Sequence, residues 1–405
     1  MMTTLKTICS YRKEKIDPQS LQSNSYVSTD GMASNKKGIF RFSIPPAHGK
    51  VTRYLKDDIL VSNIRPYFKK IWLADRDGGC SNDILVFTSN EHCSSEYLYW
   101  LLCNDKFFDY ASATAKGTKM PRGDKNALLD YPIQKHNRQL QEAIVRILRP
   151  FQQQLAINSR INDHLLEMAL SEYKELSRQS SSKRTLQDCT SLLCRGGAPK
   201  YCEKGKFHAL NQRCIRNHKI DDANARRIEN PRSREKLLRY GDILICSTGT
   251  GTLGRSAQVL CHDERVTVDS HVTIVRPAYE ALVEYLGCWA LSSEDQFESM
   301  AKGSTGQTEL PRTELAELEI GFPDAAFLND FSGKTKPLFE AIQSNVRENQ
   351  SLECLRDALL PKLMSGEIDV SRIGLRQLNG HLVRLRTLVI VSRSTVYCMR
   401  APFVG

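Results

Sequence analysis

Apolar residues recur with heptad spacing in two stretches of the chain, near residues 150–177 and 337–364. The steps alternate between four and three residues, so the side chains form a narrow seam along one side of a helix. Each stretch therefore predicts a long helix. The seam of the first stretch consists of Phe151, Leu155, Asn158, Asn162, Leu165, Ala169, Glu172 and Leu176.

The second stretch repeats the first at an offset of 187 residues, including the positions of two asparagines. An asparagine in a helix seam is costly to bury unless another polar group meets it, and it fixes register and partner. The repeat predicts that the two helices pack on each other, although two unrelated amphipathic helices on separate domains would give a similar pattern. The second seam consists of Leu338, Ile342, Asn345, Asn349, Leu352, Arg356, Leu359 and Leu363.

The chain before the first long helix has the apolar runs of a mixed α/β domain. Some runs are continuous, as in strands buried on both faces, and one has helical spacing. The first long helix begins near Arg138, and Pro150 is expected to break or kink it because proline lacks the backbone donor. The predicted elements are strands at 58–62, 67–73, 82–87 and 128–133, a helix at 96–108 and a basic loop at 116–125.

Residues 185–325 repeat this scheme, with four matching motifs in the same order at offsets of 184–191 residues. Such ordered matches predict a tandem duplication. We predict an α/β fold in which two tandem-duplicated α/β domains are separated by two long helices that form an antiparallel coiled coil. The motifs are Tyr240-Gly-Asp-Ile-Leu-Ile-Cys, Glu284-Tyr-Leu, Ala301-Lys-Gly-Ser and Phe322-Pro, which match Lys56-Asp-Asp-Ile-Leu-Val-Ser, Glu96-Tyr-Leu, Ala115-Lys-Gly-Thr and Tyr131-Pro.

The duplication predicts the domain boundaries. The segment after the second helix has no counterpart in the first copy, carries no acidic residue from Gly374 onward, and is expected to be a poorly ordered basic tail. Protection of this segment from proteases would contradict that expectation. The predicted domains are a first globular domain at 1–137, a first helix at 138–180, a second globular domain at 181–325, a second helix at 326–370 and the tail at 371–405.

The composition of the chain indicates which class of binding partner to expect. The formal net charge of +11 over 405 residues favours a polyanion, with nucleic acid ahead of a membrane surface. No apolar signal segment begins the chain, and no window is long enough to span a membrane. Thirteen cysteines without a C-x-x-C pair indicate reduced thiols, which predicts a cytoplasmic protein with no membrane partner.

Two basic segments of the first copy are candidates for binding nucleic acid. In the run from Asn63 to Trp72, cations alternate with aromatic residues, which suits contacts to phosphates and to sugars or bases. An edge strand with lysines facing water would give the same run. In the loop that follows, four cations accompany a single acid, Asp124. The candidate residues are Arg65, Tyr67, Lys69, Lys70, Lys116, Lys119, Arg122 and Lys125.

The corresponding loop of the second copy has different chemistry. Glutamine and arginine side chains can read adenine and guanine edges, whereas lysine on a phosphate carries no sequence information. If both loops bind DNA, they are therefore expected to prefer different sequences. The candidate residues of the second copy are Arg255, Lys302, Thr305, Gln307 and Arg312.

The chain lacks recognisable catalytic motifs. Gly249-Thr-Gly-Thr-Leu-Gly254 matches a dinucleotide-binding pattern, but the following residues alternate as in a strand, which predicts a turn between two strands. Cys202, His208, Cys214 and His218 match no familiar zinc spacing, so no metal site is predicted. No adenosylmethionine loop, Walker loop or nuclease carboxylate pair is evident. These absences favour a protein without catalytic activity.

Several motifs, in this order and duplicated, resemble the specificity subunit of type I restriction-modification systems. The resemblance covers residues 1–370, and the segment from Leu355 to Gly366 looks like the C-terminal helix ending of that family. The motifs are Gly241-Asp-Ile-Leu-Ile, Ala209-Leu-Asn-Gln-Arg-Cys-Ile-Arg, Asn63-Ile-Arg-Pro-Tyr-Phe-Lys-Lys, Gly79-Cys-Ser-Asn-Asp-Ile-Leu-Val-Phe and Leu355-Arg-Asp-Ala-Leu-Leu-Pro-Lys-Leu-Met-Ser-Gly.

The resemblance implies a DNA-binding subunit. Each globular copy would be a target recognition domain for one half of a split double-stranded DNA site, and the helices would act as a ruler. The chain would bind two methyltransferase subunits, which carry the S-adenosylmethionine, and restriction-translocase subunits can join that complex. The chain itself would hold no cofactor and catalyse nothing. The basic tail is not expected in this family. Because the terminal helix of the family helps to dock partners, the tail puts full partner assembly in question.

The length of the predicted seam is compatible with a ruler. The 26 residues from Phe151 to Leu176 would extend about 39 Å as a helix, and one turn of DNA extends about 34–36 Å. Lengthening both helices by whole heptads should lengthen the gap between the two half-sites, and an unchanged gap would contradict the ruler.

Two other functions remain open at this stage. A duplicated coiled-coil scaffold that binds only proteins would show absent or salt-insensitive DNA binding, because phosphate contacts impose a steep salt dependence. An autonomous DNA methyltransferase would bind adenosylmethionine without a partner.

Overall fold

The computed structural model describes residues 2–180, 182–261, 264–303, 308–368 and 370. The predicted tail at 371–405 lies outside the described residues. Contacts divide the chain into two compact units. Unit 1 comprises residues up to Leu155 together with those from Gln350 onward, and unit 2 comprises Ala156–Asn349.

Unit 1 contains ten strands and three short helices, and the first long helix begins in it. The strands are β1 (Met2–Thr4), β2 (Cys9–Tyr11), β3 (Lys15–Ile16), β4 (Tyr26–Val27), β5 (Val51–Tyr54), β6 (Ile59–Ser62), β7 (Ile71–Leu73), β8 (Gly78–Cys80), β9 (Ile84–Ser89) and β10 (Pro132–Gln134). The helices are α1 (Ser95–Leu102), α2 (Asp105–Ala113), α3 (Lys125–Leu129) and α4 (Arg138–Gln179).

Unit 2 follows the same succession of elements. Its strands are β11 (Ser182–Thr185), β12 (Thr190–Arg195), β13 (Phe207–Leu210), β14 (Ile215–Arg216), β15 (Lys219–Ile220), β16 (Arg226–Ile228), β17 (Ile243–Cys246), β18 (Ser256–Gln258), β19 (Val266–Val268), β20 (Val272–Pro277) and β21 (Glu319–Phe322). Its helices are α5 (Val283–Ser292), α6 (Glu294–Ser299), α7 (Arg312–Glu317) and α8 (Ala325–Met364).

The main sheet has the same strand order in both units, which confirms the predicted α/β fold and its duplication. In unit 1 the antiparallel order is β2-β9-β6-β7, and in unit 2 it is β12-β20-β17-β18. A separate antiparallel pair joins the start of each copy to the strand before its long helix, namely β1 with β10 and β11 with β21.

Both faces of each main sheet are covered, which explains the continuous apolar runs in the sequence. In β6, Ile59 and Val61 contribute to the core with α1 and α2, whereas Leu60 faces a second core under a smaller sheet. In β17, Ile243 and Leu244 divide between two cores in the same way. Successive side chains of a strand point to opposite faces of the sheet. One face of each main sheet therefore packs against helices and the other against short strands.

The small sheets share one parallel strand pair and differ in what is added to it. In unit 1, β4 pairs with β8, and the further strands β5 and β3 join on the β8 side. In unit 2, β13 pairs with β19, and β16 joins on the β13 side. The residues that precede the second main-sheet strand therefore follow different paths in the two units.

Three local predictions need correction. The strand expected at 67–73 begins only at Ile71, because Arg65 and Lys69 adopt left-handed backbone angles on either side of a short turn. The strand expected at 128–133 begins only at Pro132, since α3, which the side chain of Asp124 caps, continues to Leu129. The helix expected at 96–108 is two helices, because Asn104 caps the start of α2.

Of the break or kink predicted at Pro150, the break is wrong, because α4 continues through this residue. Proline removes the N–H that would bond the carbonyl of residue Arg146. Both residues are exposed, so water can bond that carbonyl. Pro337 lies inside α8 in the same way, and it and Gly333 are also exposed.

The two long helices run antiparallel where they pack in unit 2. The side-chain N–H of Asn158 donates to Asn349 Oδ1 at 2.9 Å, and that of Asn345 donates to Asn162 Oδ1 at 2.8 Å. Because the residue numbers rise on one helix as they fall on the other, the pairing is antiparallel. The asparagines meet each other across the seam, which satisfies polar groups that are costly to bury.

The predicted seam residues lie on buried or half-buried positions of α4 and α8, except Glu172, which is exposed. In unit 1, Phe151, Leu352 and Leu363 are buried, and Leu155 and Leu359 are half-buried. In unit 2, the buried members are Asn158, Asn162, Leu176 and Ile342, and the half-buried members are Leu165, Leu338, Asn345 and Asn349.

Helices that could cross a bilayer are not found in the described part of the chain. The described cysteines are free thiols. Among the described residues, no group of three or more His, Cys, Asp or Glu side chains is placed to hold a metal ion. His218 instead lies 3.6 Å from the carboxylate of Glu294.

Candidate nucleic-acid interface

In unit 1, three loops are joined by backbone hydrogen bonds beyond the end of β6. The N–H groups of Asn35 and Lys36 donate to the carbonyls of Phe68 and Lys69 at 2.9 and 2.8 Å. The N–H of Arg65 donates to the carbonyl of Pro121 at 2.8 Å. The loops at 33–50, 63–70 and 116–125 therefore form one connected surface, called here the three-loop surface.

The predicted basic loop is a hairpin rather than an irregular segment. Lys116 and Arg122 bridge each other, and Arg122 also bridges Ile64 just after β6. The guanidinium of Arg65 donates to the carbonyl of Lys119 at 3.5 Å, and its buried Nε has no hydrogen-bond partner among the described atoms. The hairpin thus holds Lys119 out from the sheet on a fixed backbone.

The cations of this hairpin differ in how far acids already neutralise them. Lys116 bonds Asp124 at 2.6 Å, and Arg122 bonds Asp83 at 3.1 Å. The Lys116 ammonium, aided by two backbone N–H groups, holds the pKa of Asp124 below its usual value. Lys119 and Lys125 are exposed. The hairpin therefore offers positive charge to a phosphate backbone, with Lys119 at its tip.

In the aromatic and basic run after β6, one aromatic side chain is exposed and two lysines bond other groups of unit 1. Tyr67 is 45% exposed and packs against Phe68. Lys69 pairs with Asp105 at 2.9 Å, and Lys70 donates to the carbonyl of Thr29 at 2.6 Å. These lysines hold the loops together, and so they offer less charge to a ligand than the sequence suggests.

An ionic cluster with two buried cations, Lys36 and Arg356, lies behind the three-loop surface. The ammonium of Lys36 bonds Asp105 at 3.0 Å and Asp357 at 2.9 Å, and Arg356 bonds Asp357 at 2.9 Å. Burial raises the pKa of Asp105, but Lys36 and Lys69 outweigh it and leave the pKa below its ordinary value. The pKa of Asp357 is lowered in the same way, against burial, by Arg356 and Lys36. The cluster fixes two of the three loops to α2 and α8.

Unit 2 has the equivalent hairpin at the end of β17, with an acid, Glu309, at the position of the cation Arg122. Glu309 bridges Lys302 and Thr248, as Arg122 bridges Lys116 and Ile64 in unit 1. Lys302 is paired with Glu314, and Arg195 bonds Glu309 at 2.8 Å. Thr305 and Gln307, predicted to bind DNA, lie outside the described residues. Arg312 is exposed at the start of α7.

The glycine motif of unit 2 forms a turn between β17 and β18, as predicted. Gly249, Gly251 and Gly254 all have positive φ angles. A Cβ on Gly254 would lie 2.9 Å from the carbonyl oxygen of Glu294, so a larger residue would collide with α6. Arg255 bonds the carbonyl of Gly251, which places its guanidinium on this turn. The turn is a compact feature of the unit 2 surface between two antiparallel strands.

A histidine next to this turn escaped the sequence prediction. Nδ1 of His271 lies 2.6 Å from Oγ1 of Thr248, and the N–H of His271 donates to the carboxylate of Asp269. Burial raises the pKa of Asp269 despite that bond. His271 comes from the start of β20, so only the antiparallel pairing of β17 with β20 brings it to this surface. No sequence spacing signals such a contact.

The segment between β4 and β5 also escaped prediction, although its composition carries a signal. From Gly31 to Lys56 the chain has six lysines and arginines and no acid. Arg41 and Lys50 are exposed in this segment. A charge count over this window would have identified it as a candidate binding segment.

No protein-family model matches the chain. It is 23% identical over 314 residues to the type I restriction enzyme MjaIX specificity subunit of Methanocaldococcus jannaschii, covering 69% of this chain and 70% of that relative. It is 33% identical over 84 residues to the HindI specificity subunit of Haemophilus influenzae, covering 21% and 18% of the two chains. A crystal structure of the type I restriction-modification S subunit from M. genitalium matches 90% of this chain and 96% of that one, with 18% identity and a TM-score of 0.47. The resemblance predicted from the sequence motifs is thus confirmed: these two relatives are specificity subunits of type I restriction enzymes.

Proposed function

We propose that this chain is the DNA sequence-recognition subunit of a type I restriction-modification complex. In this proposal each unit reads one half of a bipartite, asymmetric site on double-stranded DNA. The observation that carries it is the hairpin built twice, at the ends of β6 and β17, on equivalent sheets but with different side chains. Two equivalent surfaces of unlike chemistry suit a site whose halves differ.

The charges on the two surfaces support different modes of contact. The unit 1 hairpin carries exposed Lys119 and Lys125, which suit phosphates that position the protein without specifying sequence. The unit 2 surface has Arg255, Arg312 and His271, whose planar groups can bond base edges. Unit 1 would then draw more of its affinity from phosphates than unit 2.

We also propose that the chain catalyses no reaction and serves to position partner subunits. Two methyltransferase subunits would bring S-adenosylmethionine, and restriction-translocase subunits would join them. In unit 2, α4 carries an exposed apolar stripe of Ile157, Ile161 and Met168, which are 49%, 43% and 55% exposed. The spacings of four and seven residues place them on one face of the helix, as in an amphipathic face that docks a partner.

The test is to map methylated adenine across the genome of cells that express this chain with its methyltransferase subunit. A two-part motif with a gap of fixed length is the expected result. A complex that forms without methylating DNA would contradict sequence recognition. Salt-insensitive DNA binding and no complex with a methyltransferase would favour a protein-binding scaffold instead. Binding of adenosylmethionine by the isolated chain would favour an autonomous enzyme.

A further inference from the structure

The loop between β4 and β5 of unit 1 exposes one apolar side chain almost completely. Ile44 is 92% exposed, whereas the next most exposed large apolar residue among those described, Met2, is 65% exposed. Burying an isoleucine side chain is favourable, because it removes apolar surface from water. One exposed isoleucine is ordinary by itself, so its surroundings decide what it does.

The backbone on both sides of Ile44 is held in place. The N–H of Ser43 donates to the carbonyl of Tyr26 at 2.8 Å, and the hydroxyls of Ser43 and Ser28 lie 2.7 Å apart. Pro45 and Pro46 follow directly, and each proline ring fixes one backbone angle. Little conformational freedom therefore remains to be lost when Ile44 meets a ligand, so the side chain is presented in advance of binding.

The charge around Ile44 identifies the kind of ligand. Its segment has no acid between Asp30 and Asp57, and Arg41, Lys50 and Lys56 are exposed within it. A polyanion is the complementary partner of an apolar side chain among cations. The other two loops of the three-loop surface have the same combination, since Tyr67 and Met120 are each 45% exposed among basic residues.

We propose that Ile44 is a specificity-determining residue that contacts the C5-methyl group of a thymine in the half-site read by unit 1. Thymine is the only base of DNA that shows a methyl group in the major groove, and apolar side chains recognise it there. A wedge between base pairs is the alternative use of such a residue, but unstacking one base step costs about as much free energy as burying one isoleucine gains. This balance favours the contact that needs no distortion of the duplex.

This inference rests on the proposed function and is tested with the full-length chain. Duplexes of random sequence are selected by binding to the wild-type chain and to Ile44→Ala. Phe327→Ala is the matched control, because it removes an exposed apolar side chain from unit 2 that is 54% exposed. We expect Ile44→Ala to lose a T·A preference at one position of one half-site, while the other half-site and the control remain unchanged.

A second measurement changes the DNA and leaves the protein intact. Replacing that thymine by uracil removes only the methyl group, and it should weaken wild-type binding about threefold to fivefold. The same replacement should not affect Ile44→Ala, because the contact is already lost.

The outcomes separate the two proposals. A wild-type chain that selects no sequence would overturn both. A wild-type chain that selects a two-part site, with Ile44→Ala selecting the same site and uracil tolerated at every position, would overturn only the role of Ile44. Uracil tolerance together with a bend in the bound DNA that Ile44→Ala abolishes would replace the methyl contact with a wedge.

Discussion

Unit 1 and unit 2 each contain a main sheet of the same strand order, and they differ in the segments attached to that sheet. The strand orders of the main sheets are the same, and so is the parallel pair in each small sheet. The additional strands join opposite members of that pair. Elements that bury apolar surface on both sides have therefore been retained, whereas segments with one exposed face have diverged.

A buried acid shows how the two units meet one requirement with different residues. Asp58 and Asp242 occupy the same place before the second main-sheet strand, and they are 3% and 0% exposed. Asp58 bonds Arg12 at 2.6 Å and also accepts from Thr88, whereas Asp242 bonds Arg276 at 2.7 Å. Thr88 and Arg276 follow the residues that pair with Ile59 and Ile243, so they too are equivalent.

The long helices differ at a matching place. Arg356 and Asp357 of α8 form the ionic cluster with Lys36 in unit 1. The residues 187 positions earlier are Ala169 and Leu170, which join the apolar core of unit 2. One seam position thus serves an ionic contact in one unit and apolar packing in the other, which makes the two units respond differently to pH.

The largest expected effect is that of Arg276→Met. This substitution leaves the carboxylate of Asp242 buried without its charge partner, which costs about 3–5 kcal/mol in the free energy of unfolding. Urea denaturation followed by circular dichroism measures the loss. Arg12→Met is the matched control in unit 1, and it should cost less because Thr88 still bonds Asp58. Equal losses would show that the two acids do not depend on their cations as the geometry indicates.

The asparagine pair in unit 2 should give the next largest effect. Asn345→Leu removes the donor to Asn162, a residue that is 7% exposed, and should cost about 1–3 kcal/mol in the free energy of unfolding. Asn162→Leu combined with Asn345→Leu should recover most of that loss, because no polar group is then left unpaired. Additive losses in this double-mutant cycle would show that the two side chains do not depend on each other.

The hairpins should differ in the salt dependence of DNA binding. Lys119→Ala should reduce the slope of log affinity against log salt by about 1, because one phosphate contact is lost. Lys302→Ala, in the unit 2 hairpin, should change the slope less, since Glu314 already neutralises that lysine. Fluorescence anisotropy with a duplex at several salt concentrations measures both slopes. A larger change for Lys302→Ala would reverse the assignment of phosphate contacts to unit 1.

The smallest expected effect is on stability in acid. The pKa values of Asp105 and Asp357 are lowered in the folded chain, so their contribution is present above their ordinary value of 3.8. It is lost as the pH falls from there through the lowered folded-state pKa values. Lys36→Met should make stability fall less steeply with pH in this range. An unchanged pH profile from urea denaturation at several pH values would exclude Lys36 as a source of the shift.

Sequence patterns predicted the elements whose side chains repeat with a regular period. The cores of β6 and β9 and the seams of α4 and α8 followed from apolar spacing alone. The prediction of a strand at 67–73 was wrong because Arg65 and Lys69 adopt left-handed backbone angles, which the hydrophobic pattern does not indicate. Ile44 and His271 were missed for a related reason, since tertiary pairing places them on the surface. Lys69 and Lys70 were predicted to bind DNA, but they bond Asp105 and the carbonyl of Thr29. These partners are distant in the sequence, so no sequence pattern indicates them.

The chain order of the units has a consequence for synthesis on the ribosome. Unit 2 is one continuous segment, Ala156–Asn349, whereas the core of unit 1 includes Leu360, Leu363 and Val370 from beyond it. At about 5–20 residues per second, the two parts of unit 1 are made roughly 10–40 seconds apart. Unit 1 is therefore begun before unit 2 and completed after it, and its unfilled core must wait until residues 360–370 have been made. A nascent chain that stops before residue 350 would expose that core to chaperones and proteases while unit 2 is already folded.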